Sequence, residues 1–154
     1  MLPSLDTLRA HLYRLGFSYF PAFWMTGGRV TDLAPDFSYA RVKLPLTWRT
    51  RNVVGTTFGG SMYGVVDPVY MVLLRRRLGD GFTVWDRTAE IRFREPGRST
   101  LYAEFRLPDE EVRDIRRTLA PGESCDRVYD VDLVDAEGTV HAEVEKTLYV
   151  RRDE

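Results

Sequence analysis

Asp67 sits in apolar company, with Val65 and Val66 before it and Pro68, Val69 and Met71 after it. A carboxylate placed there either caps a helix or does chemistry. Upstream, Gly59 and Gly60 stand where a helix is expected to begin. The first N–H groups of a helix lack intrahelical partners and sit at the positive end of its dipole. Two glycines there let a ligand come close to the backbone. Such a place suits a phosphate or the oxyanion of an acyl-transfer reaction. The Lys-Ser/Thr pair that a P-loop requires is absent,.

Asp67 follows Gly60 by seven residues. On a helix that is about two turns, so the two share a face and stand about 10 Å apart along the axis. Reacting groups must approach to roughly 3–3.5 Å. One copy of the helix therefore cannot bring them together. Two copies packed antiparallel would set Gly60 of one chain opposite Asp67 of the other, so a catalytic Asp67 predicts a symmetric dimer with two shared sites. The alternative is that Asp67 and Pro68 are the N-cap and first residue of a helix over 68–78, with Asp67 purely structural. The bias of a pre-proline residue away from α geometry favours that alternative. Both readings stay open on the residues alone.

The elements that must position these groups follow from the hydrophobic periods. Leu5, Leu8, Leu12 and Leu15 recur at helical spacing behind Ser4, a suitable N-cap,. The dense aromatic segment "FSYFPAFWMTGG" follows. A period of two begins at residue 29, with Ala40, Val42 and Leu44 on one face and "APD" at 34–36 as a turn. Residues 59–78 read as helical, ending in Arg75–Arg77 with Gly79 as stop,. Trp85, Ala89, Ile91 and Phe93 share a strand face, and Leu101, Ala103, Phe105 and Leu107 another, with "PGR" at 96–98 read as the hairpin turn between them. A short polar helix is expected within 108–122,. Strands at 126–134 and 139–150 are joined by "DAEG",. Lys146 interrupts the apolar face of the last strand, as a snorkelling side chain or a buried ion pair. The whole predicts an α+β fold over one domain, 1–154, with a central helix wrapped by a curved, mainly antiparallel sheet and an added N-terminal helix and aromatic segment at 1–27.

Composition narrows the function classes. The 22 basic and 23 acidic residues give a net charge of −1, which supplies no drive toward nucleic acid or an anionic membrane. Cys125 is the sole cysteine, and His11 and His141 are the only histidines. Neither a disulfide framework nor a metal-ligand cluster is expected. No apolar run reaches membrane-spanning length, and charges interrupt the N-terminal apolar residues, so a cytoplasmic location is the expectation.

Asn52, Gly55, Gly59, Gly60 and Asp67 fall without gaps on the Asn-x-x-Gly…His-Gly-Gly…Asp pattern of PaaI-type hotdog-fold thioesterases. The chain resembles an uncharacterised branch of that superfamily over most of its length, through "WRTRN", "GTTFGGSMY", "DPVYM", "VWD" and "IRFREPGR". The resemblance implies acyl-CoA hydrolysis, with the Gly60 N–H polarising the thioester carbonyl, Asp67 attacking or activating water, and Asn52 orienting water or carbonyl. It implies substrate contacts along Phe58, Gly59, Ser61, Met62 and Tyr63, with Val66 and Met71 as further candidates for an apolar channel. Arg94 and Arg98 stand at the family's place for coenzyme A phosphates. Coenzyme A enters only as part of the substrate, with no separate cofactor, and the protein is expected as a dimer or dimer of dimers. The family's His is Phe58 here. That departure supports an alternative, a non-catalytic hotdog module that binds fatty acyl groups or acyl-CoA. A hotdog hydratase ranks last for want of a His beside the carboxylate.

Overall fold

A computed structural model describes residues 4–154. Ser4 caps the first helix, α1 (Leu5–Tyr19), its Oγ accepting from the Thr7 N–H at 3.2 Å. Ala10 and Ser18 are the buried positions of α1, while Leu5, Leu8, Leu12 and Leu15 are exposed. The leucine stripe therefore faces away from the core. A short helix α2 (Pro21–Met25) follows, with Phe23 inserted into the core and Phe20, Trp24 and Met25 exposed.

Strands β1 (Arg29–Leu33) and β2 (Tyr39–Leu44) pair antiparallel, and Ala40, Val42 and Leu44 alternate into the core as the period of two requires,. Helices α3 (Gly59–Val66) and α4 (Val69–Leu78) form the central rod. Four strands complete the sheet: β3 (Phe82–Phe93), β4 (Leu101–Arg106), β5 (Ser124–Val134) and β6 (Val140–Arg152), with α5 (Asp109–Thr118) between β4 and β5. The order is β1-β2-β4-β5-β6-β3, and every pairing is antiparallel. Val65, Val66, Leu73 and Leu74 of the rod pack against Leu101, Phe105, Leu133 and Leu148 of the sheet in one core. This is the hotdog architecture.

Three expectations change. First, β3 and β4 are not a hairpin: β3 pairs with β6 at one edge, and β4 sits between β2 and β5. Residues 94–100 cross between the two, and the Thr57 N–H binds the Gly97 carbonyl at 2.8 Å. The turn residues are real, but β6 supplies a longer apolar partner for β3 than β4 does. Second, a bulge between Asp86 and Thr88 shifts the phase of β3,. Trp85 stacks on Tyr149 at 4.8 Å instead of joining Ile91 toward the core. Third, the helix over 59–78 breaks at Asp67-Pro68. Proline has no N–H, so the Gly64 carbonyl loses its donor four residues on. Asp67 nevertheless keeps helical angles (φ −46°, ψ −55°) and ends α3, its N–H binding the Tyr63 carbonyl at 2.9 Å. The N-cap role for Asp67 is thereby removed. Among the described residues, no helix is long and apolar enough to cross a membrane.

Candidate active site

Asp67 leaves the rod where Pro68 interrupts it, and its carboxylate turns toward the sheet. Oδ1 accepts from the Tyr63 hydroxyl at 2.7 Å, one helical turn back, and from Lys146 Nζ at 2.9 Å. Lys146 sits on β6 with a side chain only 1 % exposed, and it also meets Asp86 Oδ1 of β3 at 2.7 Å. Of the two readings of Lys146, the buried ion pair is the one found. Two carboxylates flank one ammonium, so the cluster is net negative. Oδ2 of Asp67 has no hydrogen-bond partner among the described residues, and the Asp67 side chain is 43 % exposed. Burial first, then the bond to Asp67, pushes the Tyr63 phenol well above its ordinary range,. Tyr63 thus stays a donor to the carboxylate at any physiological pH.

The diglycine lies at the other end of α3. Phe58 is the N-cap, without a side-chain cap bond, and its carbonyl accepts from Ser61 and Met62 N–H at 3.0 and 3.1 Å. The Gly59 and Gly60 N–H groups have no acceptor among the described residues, as the first turn of a helix predicts. A Cβ on Gly60 would meet the Phe58 ring at 2.5 Å, and one on Gly59 would meet the Phe93 ring at 2.9 Å. Both rings are half exposed. The site therefore exists within one chain as two separated halves: a carboxylate cluster, and a pair of unused N–H donors beneath two aromatic rings.

Beside the rod is a slot of about 920 Å³ between α1–α2 and α3–α4. Leu12, Phe17, Phe20, Phe23, Met71 and Val72 make its walls, and Asp67 and Pro68 line it near one end. The segment is docked closely there: a Cβ on Gly64 would meet Thr26 Cγ2 at 2.7 Å. Arg76 is at the far end, its guanidinium 4.3 Å from the Tyr13 ring centroid.

The structure separates the other expected site residues. Asn52 staples its own loop: Oδ1 accepts from the Val54 and Thr56 N–H groups, and Nδ2 donates to Thr56 Oγ1. Ser61 and Met62 are buried, and so is Val66. Of the channel candidates Phe58, Met62, Tyr63, Val66 and Met71, Met71 alone lines the slot. The slot walls come mostly from α1 and α2, whose relation to the rod no local pattern reveals. Arg94 is paired with Glu143 at 2.5 Å, whereas Arg98 is exposed and unpaired among the described residues. Arg75–Arg77 do more than terminate a helix: Arg77 clamps Leu107 and Asp109, and Arg76 caps the slot. His141 is buried. It bonds Asp135 at 2.9 Å and so closes the β5–β6 turn. Asp86 was missed as a site residue. The signal was a second acidic side chain on the strand after the rod, with Lys146 as the lone cation among apolar neighbours.

Comparison with known proteins agrees with the architecture. A Pseudomonas aeruginosa structure of unknown function, named a probable thioesterase, is 23 % identical, covers 92 % of this chain and 95 % of its own, and superposes with a TM-score of 0.78. A Haemophilus influenzae thioesterase is 17 % identical over 99 % of this chain and 93 % of its own, with a TM-score of 0.68. A mutant thioesterase from P. aeruginosa is 16 % identical over 99 % and 96 %, with a TM-score of 0.63. At these identities the likeness is one of fold. Curated proteins gave no match. The model of a domain of unknown function, DUF4442, matches residues 10–150, and the chain belongs to that family, on a hotdog fold.

Proposed function

We propose that the protein hydrolyses an acyl-thioester, with each active site assembled from two copies of the chain. The observation that carries this reading is the relation of both half-sites to β3. Asp67 connects to Asp86 near the start of the strand, through Lys146. Gly59 packs under Phe93 at its end. β3 is a sheet edge of 12 residues, mostly exposed, carrying Trp85 and Phe93 in the open. A long bare edge invites pairing. If β3 pairs antiparallel with its own copy about an axis near Ala89, the Asp86 end of one strand meets the Phe93 end of the other. That brings Asp67 of one protomer toward the diglycine of its partner, across the separation of about 10 Å that α3 imposes within one chain.

The chemistry follows from the groups. The thioester oxygen lies against the unused Gly60 N–H, which stabilises the charge that develops in the tetrahedral intermediate. Asp67 Oδ2 takes a proton from water as its oxygen attacks the carbonyl carbon, while Tyr63 and Lys146 hold Oδ1. The carbon–sulfur bond breaks and the thiolate leaves, to be protonated in solvent. Direct attack by Oδ2, with an anhydride then hydrolysed, uses the same geometry. Coenzyme A is the favoured carrier, with Arg98 as the available contact for its phosphates. The neighbours named as thioesterases support the reading at the level of fold. With Phe58 in place of a histidine, the base falls to the carboxylate whose Oδ2 is free, that of Asp67.

Thiol release from a panel of acyl-CoAs tests it. Asp67→Asn is expected to lower kcat at least about 100-fold, the scale of a lost general base, with little change in unfolding temperature. No release at any chain length, or a variant equal to wild type, overturns the proposal. Tight acyl-CoA binding without turnover would select the non-catalytic alternative, which Phe58 favours.

A further inference from the structure

We infer that the slot between α1–α2 and α3–α4 binds a free aliphatic carboxylate, with its anionic head at Arg9 and Arg76 and its chain running toward Asp67. The slot is apolar in the middle and charged at its ends. Leu12, Phe17, Phe20, Met71 and Val72 offer no hydrogen-bonding side chain, Thr26 already donates to the Phe23 carbonyl, and Tyr13 stands at the Arg76 end, so a chain with internal amides, such as a pantetheine arm, would be left unsatisfied in the middle,. Arg9 and Arg76 line the same end, and neither has a carboxylate partner among the described residues. Arg76 is held in place by stacking, 4.3 Å from the Tyr13 ring centroid and 5.7 Å from that of Phe37. Two unpaired guanidiniums attract a carboxylate, while the net-negative Asp67 cluster repels one from the opposite end. The polarity of the slot thus fixes the direction of the ligand.

Gly16 lies exposed at the rim of the slot and leaves it open. It lies within α1 and lines the slot, and nothing stands within 4 Å of where its Cβ would be. A glycine inside a helix weakens it, and here no protein atom requires the missing side chain. From Asp67 to Arg76 is nine residues of rod, about 13 Å, which fits a chain on the order of ten carbons.

The test is calorimetric titration of the full chain with decanoate and with decanol, which shares the chain and lacks the charge. Decanoate is expected to bind at least about tenfold more tightly. Arg76→Gln should remove that advantage and leave decanol binding unchanged. Arg76→Lys should keep most of it, which separates charge from packing. Gly16→Phe, which fills the slot from a position with room for it, should abolish binding of both. Equal affinity for the two ligands, no binding of either, indifference to Arg76→Gln, or binding that survives Gly16→Phe would each overturn the inference. None of these readouts needs turnover, so they stand or fall apart from the hydrolase reading.

Discussion

A lysine that is 1 % exposed has to be paired, and Lys146 is paired with two carboxylates rather than one,. Asp67 and Asp86 are held by the same ammonium, so neither can be changed without altering the other's surroundings. Lys146→Met leaves two carboxylates facing each other at the edge of the core. It should cost on the order of 3 kcal/mol in chemical denaturation, at the lower end of the range for broken buried pairs because both aspartates reach solvent,. It should also lower kcat more than Asp86→Asn does, since Asp86 touches Asp67 only through Lys146. Tyr63 gives a cleaner probe. Burial and Asp67 raise its pKa above the ordinary tyrosine range, which keeps the phenol protonated. The bond to Asp67 is thus fully present at neutral pH and lost only well above pH 10. The pH–rate profile should show no break at the ordinary tyrosine range, and Tyr63→Phe should reduce kcat about tenfold without moving the profile's alkaline side. A break near pH 10 that vanishes in Tyr63→Phe would contradict this.

At the scale of elements, the strands and their faces were legible because period-two burial is written locally. Ala40, Val42 and Leu44, and Leu101, Ala103 and Phe105, fall inside as read,. Sheet order was not legible, because "PGR" is the same turn chemistry whether a hairpin or a crossover follows. The leucine stripe of α1 looked like a core face and is an exposed one. The helix instead docks through Ala10, Ser18 and the partly buried Phe17, and spacing alone cannot say which of two apolar faces is covered. Pro68 was legible as the start of a helix but not in its effect: it ends α3 at a residue that keeps helical angles and turns a carboxylate out of the rod toward β6. Of the candidate site, the diglycine and Asp67 were visible from spacing. Lys146 was visible only as an anomaly, and the slot not at all, since its walls come from segments some 50 residues apart. Gly16 supplies the prediction at this scale. Gly16→Ala should raise stability by about 0.5–1 kcal/mol in urea unfolding, the ordinary helix-interior difference, because a Cβ there meets nothing,. A loss of stability would mean the position is packed after all.

For the whole molecule, hydrolysis at a shared site requires a partner copy. One chain holds a carboxylate cluster and a pair of unused N–H donors at opposite ends of α3, each tied to a different end of the same edge strand. A charge placed in the middle of that strand, Ala89→Asp, would meet its own copy across the axis. It should shift the protein toward monomer in sedimentation and remove activity while leaving the fold's circular dichroism unchanged. The most direct measurement is subunit complementation. Asp67→Asn removes one half-site. Gly60→Pro deletes the N–H of the other from the first turn of the helix, combined with Phe58→Ala to clear the ring that a Cβ at 60 would meet at 2.5 Å,. Each variant alone should be inactive. Unfolded and refolded together in equal amounts, they form mixed dimers in which one of the two sites has both halves intact, and roughly a quarter of wild-type activity should return. If mixed dimers form and activity stays at the level of the single variants, the two halves do not meet across the interface and no shared site exists.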